Sequence, residues 1–359
     1  MSSVVNVLPG VPDVESPLFE AIFKSKDVTP ETVETARKLR RDGFVVVDFP
    51  DPDFDRTAEK IIQALDKRYD WKAWREGKTP GLRVQDAWDT VPAVKQLACN
   101  PKMLKLLSDL YGRRAFPFQT LNFPVGTQQH FHTDSVHFSS SPERFMAGVW
   151  VALEDIDADN GPLVYYPGSH ALPIFTNEHI GVNPSTQSEN MYGHYPCYEK
   201  AWEAIVEALD LKPFYFYAKK GQALIWAANL LHGGAAQKDM SRTRYSQVTH
   251  YYFDNCSYYT PMGTVEFLGP VQFRDNIVDI STGKRIPNQV NGMEVPASHI
   301  AYTTPSRHLL TSAMQRPTKT PPGFDPKAYL RANPDVARAK VDPAKHWLEF
   351  GYREGRPLR

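Results

Sequence analysis

The chain has 359 residues, 42% of them hydrophobic and 23% charged, so it can bury a large core and has room for two domains. Its 41 basic residues balance 41 acidic ones, so no overall charge favours nucleic acid or an anionic membrane as a partner. No stretch approaches the roughly 20 apolar residues of a membrane span, and we expect no signal peptide because the first residues lack a basic region and a long apolar core.

Two helices and a strand are predicted in the first third of the chain. Thr29-Pro30-Glu31 supplies a capping residue, a proline at the first helical position and an acid in the first turn, and Gly43 ends that helix. Residues 44–49 (FVVVDF) follow as a strand. Asn100-Pro101 begins a second helix with apolar residues at helical spacing. We expect both helices to pack on one side of a sheet.

From about residue 115 the pattern changes to short strands separated by turns. Residues 145–153 alternate, which predicts that odd-numbered residues face one way and even-numbered residues the other. Further strands are expected at 213–217, 223–226 and 244–253. Residues 177–212 interrupt this pattern with a polar loop and one amphipathic helix, whose apolar side is predicted to hold Trp202, Ile205, Val206 and Leu209. An insertion of this length is typical of a lid or pocket wall.

The C-terminal segment has a different character. Residues 304–323 are rich in proline and threonine and are predicted to be a linker that follows a body of residues 1–310. Asp325-Pro326 and Asp342-Pro343 each predict the start of a short helix, so residues 324–359 are expected to form a small helical hairpin. Such a hairpin is too small to be stable alone, and we expect it to dock on the body or on a partner.

His132 and Asp134 stand two residues apart in the stretch QQHFHTDSVHF. On an extended strand such residues point to the same face, so one imidazole and one carboxylate can reach the same ion. His232 closes a distant apolar run and can supply a third ligand on the same side of that ion. A set of two histidines and one carboxylate is typical of non-haem Fe(II), which keeps open positions for an organic cosubstrate and oxygen.

Arg244 begins the next predicted strand, twelve residues after His232. A guanidinium group near a ferrous ion is what a dicarboxylate cosubstrate requires. Arg242 has the same strand parity, so side-chain direction does not separate the two; we favour Arg244 because it leads directly into the apolar run.

The chain contains three cysteines, at positions 99, 197 and 256. Their wide spacing matches neither a zinc site nor a disulfide framework. We therefore expect reduced thiols and a cytoplasmic location, which also suits a ferrous enzyme.

Four segments in this order resemble the phytanoyl-CoA dioxygenase family of Fe(II)- and 2-oxoglutarate-dependent oxygenases: HTD, WVALEDIDADNGPLVYYPGSH, GQALIWAANLLHGG and TRYSQVTHYYF. The resemblance covers roughly residues 40–270. It implies a mainly β fold with flanking helices, in which a double-stranded β-helix forms a jelly-roll or cupin-like barrel. It also implies that His132, Asp134 and His232 bind iron and that Arg244 pairs with the distal carboxylate of 2-oxoglutarate.

The resemblance extends to two polar residues on the strand before the metal motif. Gln119 lies where the family often has a polar side chain that reaches the cosubstrate, and Asn122 follows three residues later. A regular strand points these two to opposite faces, so we expect at most one to reach 2-oxoglutarate, and we favour Gln119. Trp150 is expected in the core, with the cavity wall as the alternative.

The remaining histidines are interpreted as structural. His130 shares the parity of His132, but a third ligand from one strand is too many for a single ion. His137 and His170 lie in turn-rich sequence, and His250 is on the same face as Arg244 without a predicted role.

As in the family, the expected reaction consumes 2-oxoglutarate and O2, releases succinate and carbon dioxide, and hydroxylates a small-molecule, lipid or natural-product substrate. Related halogenases lack the carboxylate ligand, so Asp134 favours hydroxylation. Other oxidative outcomes such as desaturation or ring closure stay open, as do a metal-dependent isomerase and a metal- or sugar-binding β-barrel without oxygenase activity. No motif identifies the substrate; Tyr192, His194 and Tyr195 in the insertion are the residues we expect to set specificity.

The last segment resembles a short repeat, YLxxNPDV followed by DPxxHWxxxGxxEGR, found at the ends of bacterial proteins of glycan and cell-surface biosynthesis. A stabilising appendage is the favoured interpretation, slightly ahead of a module that recruits a protein or glycan-pathway partner.

Overall fold

The computed structural model describes residues 6–79, 81–182, 191–265, 271–274, 277–290, 292–296, 320–321, 323–339, 341–348 and 356–358. The chain divides into two compact units, residues 1–304 and 305–359, and each is described by itself. The described helices of the first unit are α1 Phe19–Ser25, α2 Pro30–Asp42, α3 Phe54–Leu65, α4 Trp71–Arg75, α5 Pro92–Ala98, α6 Pro101–Tyr111 and α7 Tyr195–Ala208.

The described strands of the first unit are β1 Phe44–Asp48, β2 Val84–Gln85, β3 Ala115–Phe123, β4 Ser139–Ser141, β5 Met146–Ala152, β6 Leu163–Tyr165, β7 Phe214–Phe216, β8 Gln222–Ala227, β9 His232–Gly234, β10 Ser246–Phe253, β11 Ser257–Tyr259, β12 Val278–Asp279, β13 Lys284–Arg285, β14 Gln289–Val290 and β15 Met293–Glu294. Most of them belong to two antiparallel sheets.

The two predicted helices begin where their capping residues indicate, and the first also ends at the predicted Gly43. Thr29 accepts a hydrogen bond from the Thr32 N–H at the start of α2, and Gly43 ends that helix in the left-handed region with φ 81°. Asn100 accepts from two backbone N–H groups at the start of α6. None of the described helices is long and apolar enough to cross a lipid bilayer.

Six strands form the larger sheet, in the order β1-β8-β5-β10-β3-β2, and every neighbouring pair in it is antiparallel. The central strand β10 pairs with β5 on one side and β3 on the other. Its register with β3 is regular from Ser246 to His250, which places His250 opposite Gln119, and it shifts only after that pair, between His250 and Tyr251.

The alternation predicted for residues 145–153 separates the two faces of this sheet. Val149 and Val151 belong to a hydrophobic cluster that includes residues of α2, α5 and α6, so the helices cover one face as predicted. Trp150 and Ala152 belong to a second cluster on the other face. That second cluster also contains Tyr165 of β6, so it lies between the larger sheet and a smaller one.

The smaller sheet has three strands in the order β7-β6-β9. Among the described residues, no strand pairing joins it to the larger sheet, so the closed barrel implied by the resemblance is not formed by these hydrogen bonds. What is present is an arrangement of antiparallel sheets flanked by helices, with the metal motif between the two main sheets.

The predicted insertion, residues 177–212, is described only in part, because residues 183–190 lie outside the described residues. Its helix α7 buries Trp202 in a further hydrophobic cluster, and Val206 packs against that cluster. Leu209, which helical spacing assigned to the apolar side, is 53% exposed. The reason is that α7 ends at Ala208 and Leu209 is its capping residue.

In the second unit the predicted two-helix hairpin is not confirmed. The described residues form three short helices, α8 Pro326–Ala332, α9 Pro334–Arg338 and α10 Pro343–His346. Asp325 and Asp342 cap α8 and α10 as predicted. Tyr329 is buried and its hydroxyl lies 3.0 Å from Nδ1 of His346, which links α8 to α10. Most of the predicted linker, residues 304–323, lies outside the described residues.

Candidate metal centre and its cavity

His132 and His232 are held together by their own backbones. The His132 N–H donates to the His232 carbonyl over 2.8 Å, and the His232 N–H donates back over 2.9 Å. Their ring centroids are 4.6 Å apart. Gly233 permits this close approach, because a Cβ atom at that position would lie 2.8 Å from the Gln129 carbonyl oxygen.

Asp134 joins the two histidines from the first residue of a short 3-10 helix, Asp134–Val136, and not from a strand as predicted. Thr133 is extended, so the side chains of His132 and Asp134 still share a side. The carboxylate Oδ1 lies 3.8 Å from His132 Nε2, and Oδ2 lies 3.8 Å from His232 Nε2. One ligand-capable atom from each residue lies within 4.8 Å of the other two.

The tautomers of both histidines suit metal binding. His132 Nδ1 lies 3.0 Å from the His130 carbonyl oxygen, and His232 Nδ1 lies 2.9 Å from that of Leu230. A carbonyl only accepts, so each Nδ1 carries the proton and each Nε2 presents its lone pair to the centre of the cluster. Burial, with His232 as the next cause, lowers the pKa of His132 to about 3, which keeps this imidazole neutral near neutral pH.

The carboxylate of Asp134 is held by an indole. Trp226 donates from Nε1 to Oδ2 over 2.9 Å, which leaves Oδ1 free of that hydrogen bond. Burial raises the pKa of the Asp134 carboxyl, but His232, His250, His132 and this indole outweigh it, and the pKa lies below its ordinary value. Two imidazoles and a carboxylate are a donor set that fits Fe(II).

Arg244 is fully buried beside this cluster and lines the same cavity. Its Nε donates to the Gly161 carbonyl over 2.9 Å and its Nη1 to Ser246 Oγ over 3.0 Å, while Nη2 is buried without a hydrogen-bond partner. Burial lowers its pKa to about 10, so the group stays a cation near neutral pH. A buried cation with an unsatisfied donor facing a cavity indicates a site for an anionic ligand.

Arg242, the competing candidate, lies elsewhere. Both oxygens of Asp157 lie 2.8 Å from its Nη1, and the pair is exposed. Arg242 is not among the residues that line the cavity. The structure therefore brings Arg244, and not Arg242, to the metal cluster.

Gln119 and Asn122 separate as their strand parity predicted. Gln119 lines the cavity, where its Oε1 lies 2.9 Å from Nδ1 of His250. Asn122 is buried on the other side of β3, and its amide donates to Gln247 over 3.3 Å. Asn122 is not among the residues lining the cavity. Trp150 is both buried in the core and part of the cavity wall, under the Arg244 guanidinium.

The cavity has a volume of about 490 Å³ and contains residues that the sequence interpretation did not assign to it. His250 places Nε2 3.8 Å from Asp134 Oδ2, and His137 and Arg274 line the wall. The sequence placed His250 on the same strand face as Arg244, but strand parity alone does not say which residues of a face reach a cavity. His137 and Arg274 belong to loops, so no periodicity could have indicated them.

The other histidines and the insertion residues are now placed. His130 pairs with Glu203 over 3.0 Å, and His170 Nε2 lies 3.0 Å from the Arg40 carbonyl; neither lines the cavity. Tyr192 and Tyr195 line it, whereas His194 Nε2 lies 3.1 Å from the Met262 carbonyl in a buried contact. Two of the three residues expected to set specificity therefore reach the cavity.

Comparison with known proteins gives matches of two kinds. Peroxisomal phytanoyl-CoA dioxygenase of Rattus norvegicus is 27% identical over 143 residues, which is 38% of this chain and 38% of that protein. The solved structure of SnoN, described as a non-haem, α-ketoglutarate-dependent epimerase from nogalamycin biosynthesis, is 20% identical in sequence. The match covers 74% of this chain and 95% of that chain, with a TM-score of 0.49. The structure of EctD from S. alaskensis with 2-oxoglutarate and 5-hydroxyectoine is 17% identical in sequence. It covers 67% of this chain and 81% of its own, with a TM-score of 0.47.

A family model extends the sequence match beyond the 143 residues shared with the Rattus norvegicus protein. The model described as phytanoyl-CoA dioxygenase matches residues 39–243, more than half of the chain. The matched range contains His132, Asp134 and His232 and ends one residue before Arg244. The chain therefore belongs to the phytanoyl-CoA dioxygenase family.

Proposed function

We propose that the protein is a non-haem Fe(II)- and 2-oxoglutarate-dependent dioxygenase that hydroxylates a small organic substrate. The observation that carries the proposal is the buried Arg244 guanidinium, which keeps one donor without a partner in the cavity that also holds His132, Asp134 and His232. A metal-binding protein with no cosubstrate has no need for a buried, unpaired cation there, because such a group is costly to desolvate.

His132, Asp134 and His232 would hold Fe(II), and Arg244 would hold the distal carboxylate of 2-oxoglutarate. The iron, when bound, supplies the site at which O2 reacts with 2-oxoglutarate; one oxygen atom enters succinate, carbon dioxide leaves, and the other oxygen atom enters a C–H bond of the substrate. Trp226 fixes the carboxylate ligand by its hydrogen bond to Oδ2. Aromatic walls that include Trp150 and Tyr165 exclude water from the site.

Several finer predictions belong to this proposal. We propose that the two main sheets are the halves of a double-stranded β-helix, with the metal site between them; support comes from the hydrophobic cluster they share. Gln119, which lines the cavity, is proposed to reach the cosubstrate, and Asn122, bonded to Gln247 on the other side of β3, is not. Cytoplasmic location, a dioxygenase domain of residues 1–310 and a C-terminal module of residues 324–359 with its own partner stay predictions.

The test is calorimetric binding of 2-oxoglutarate to the anaerobic Fe(II) protein, followed by succinate formation when O2 is added. Arg244→Gln should weaken 2-oxoglutarate binding by about tenfold to a hundredfold, since it removes a charge-assisted pair. Arg242→Gln is the matched control and should bind like the unmodified protein, because Arg242 is paired with Asp157 outside the cavity. Iron binding without 2-oxoglutarate binding would contradict the proposal and favour the metal-binding alternative.

A further inference from the structure

The cavity holds more positive charge than the proposed cofactor and cosubstrate need. Among its lining residues Arg83, Arg244 and Arg274 are cationic, and Asp134 is the single carboxylate in that set. The charges of Fe(II) and Arg244 balance those of Asp134 and the two carboxylates of 2-oxoglutarate. Among the described residues that line the cavity, no further carboxylate then balances Arg83 and Arg274 in the filled site.

Arg274 is positioned by contacts that leave its charge available. Its guanidinium carbon lies 4.5 Å from the ring centre of Phe138 and 5.6 Å from that of Phe118, and Nη1 donates to the His137 carbonyl over 3.2 Å. Its Nε is buried without a hydrogen-bond partner. Within the described part of the chain, no carboxylate lies within ion-pair distance of this side chain.

One aromatic ring links Arg274 to the metal cluster through pairwise contacts. Phe138 packs against the Arg274 guanidinium, its ring centre is 4.9 Å from that of His250, and His250 Nε2 is 3.8 Å from Asp134 Oδ2. A ligand group held by Arg274 is therefore in the same cavity as the reacting centre, and Arg274 stacks on Phe138 and Phe118 whereas Arg244 stacks on Trp150.

The rest of the cavity suggests the shape of the ligand. Tyr192, Tyr195 and Phe138 supply apolar and aromatic surface, and the volume of about 490 Å³ is in the range of sites for ligands much larger than a five-carbon diacid. Arg83 is exposed and also lines the cavity, so it adds a second positive charge on the solvent side.

We propose that Arg274, supported by Arg83, binds an anionic oxygen group of the substrate, a carboxylate or a phosphate ester, whose apolar body lies against the aromatic wall. This inference rests on the proposed function for the identity of the reacting centre. The anion site itself is defined by residues that differ from those proposed for iron and 2-oxoglutarate, so the two can fail separately. Planar guanidinium groups stacked on aromatic rings are well suited to such recognition.

The test compares three probes of similar size: phenylacetate, phenyl phosphate and neutral phenylacetamide. Binding is measured by calorimetry on the full-length, anaerobic Fe(II) protein saturated with 2-oxoglutarate, so that Arg244 is already filled. At least one anionic probe should bind about tenfold more tightly than phenylacetamide, and the preference should shrink as salt is raised. Which anion binds better distinguishes a carboxylate from a phosphate ester.

Arg274→Gln should abolish the preference for the anionic probe, and Arg274→Lys should keep most of it. Arg242→Gln, an exposed arginine outside the cavity, should leave it unchanged. If Arg274 only supports packing, Lys and Gln would have equal effects on probe binding, and that result overturns the proposal. Equal binding of charged and neutral probes to the unmodified protein overturns it as well.

A failure of the proposed function gives a different result. In that case 2-oxoglutarate does not bind, and the three probes are measured in its absence on the unmodified protein, Arg274→Gln and Arg244→Gln. If Arg274→Gln abolishes the anion preference and Arg244→Gln does not, the anion-site proposal is supported although the dioxygenase proposal is wrong. If only Arg244→Gln abolishes the preference, the anion-site proposal is wrong as well.

Discussion

Asp134 is the residue on which the proposed metal site depends most directly, because it is the single carboxylate among the described residues that line the cavity. Replacing it by alanine leaves two neutral imidazoles, which bind a ferrous ion less tightly than two imidazoles and an anion. We expect Asp134→Ala to lose Fe(II) affinity by more than about a hundredfold, measured by anaerobic titration with a competing chelator. Asp157→Ala removes an exposed carboxylate and serves as control; unchanged iron content in Asp134→Ala would exclude the ligand role.

Trp226 should act on the metal through Asp134. Trp226→Phe keeps most of the aromatic surface but removes the 2.9 Å hydrogen bond to Oδ2, so the carboxylate loses one of its orienting contacts. We expect Fe(II) affinity to fall by about tenfold to a hundredfold. Trp71→Phe is a matched control, because the Trp71 indole also donates to an aspartate but lies outside the cavity. Equal effects of the two substitutions would show that Trp226 has no special part in metal binding.

At the scale of single elements, a glycine in β5 leaves the space that the ring of Trp226 occupies. Gly148 of β5 lies opposite Trp226 of β8, and a Cβ atom there would lie 2.0 Å from that ring. Gly148→Ala must therefore displace the indole from Asp134. We expect a loss of about 1–3 kcal/mol in the free energy of unfolding together with weaker Fe(II) binding.

The comparison for Gly148→Ala is Gly10→Ala, where the new Cβ meets neighbours at an ordinary 3.5 Å. Chemical denaturation and the chelator titration together separate overpacking from a direct effect on the metal. A stable Gly148→Ala protein with normal iron binding would mean that β5 and β8 can move apart without cost.

Local signals predicted the elements well and the site only in part. Thr29, Asn100 and Gly43 mark helix ends through hydrogen bonds to residues nearby in sequence, so their effect can be recognised from a few letters. The alternation in residues 145–153 predicted two faces correctly because successive side chains of a strand point to opposite sides. The start of a 3-10 helix at Asp134 was not predictable, because His-x-Asp has the same spacing on a strand.

Residues brought to the cavity by long-range contacts carry no local signal. His250 reaches Asp134 because β10 lies between β3 and β5, and the regular pairing of β10 with β3 sets it opposite Gln119. Arg274 reaches the cavity through its contacts with Phe118 and Phe138, which are distant in sequence. Such placements depend on the whole fold, and a single sequence does not contain them as a pattern.

At the scale of the whole molecule, the residues of the proposed site and the hydrophobic clusters found among the described residues all lie within the first unit, residues 1–304. The second unit has its own buried residues, Tyr329 and Val336 among them. We therefore expect a protein ending at residue 319 to fold and to bind Fe(II) and 2-oxoglutarate within about twofold of the full chain, since no hydrophobic cluster is cut. The control is the full-length chain with Asp335→Asn, which weakens the ion pair to Arg356 inside the second unit without removing that unit. Loss of folding on truncation would support the stabilising appendage instead, and intact binding of both ligands would assign residues 324–359 a separate task such as partner recruitment.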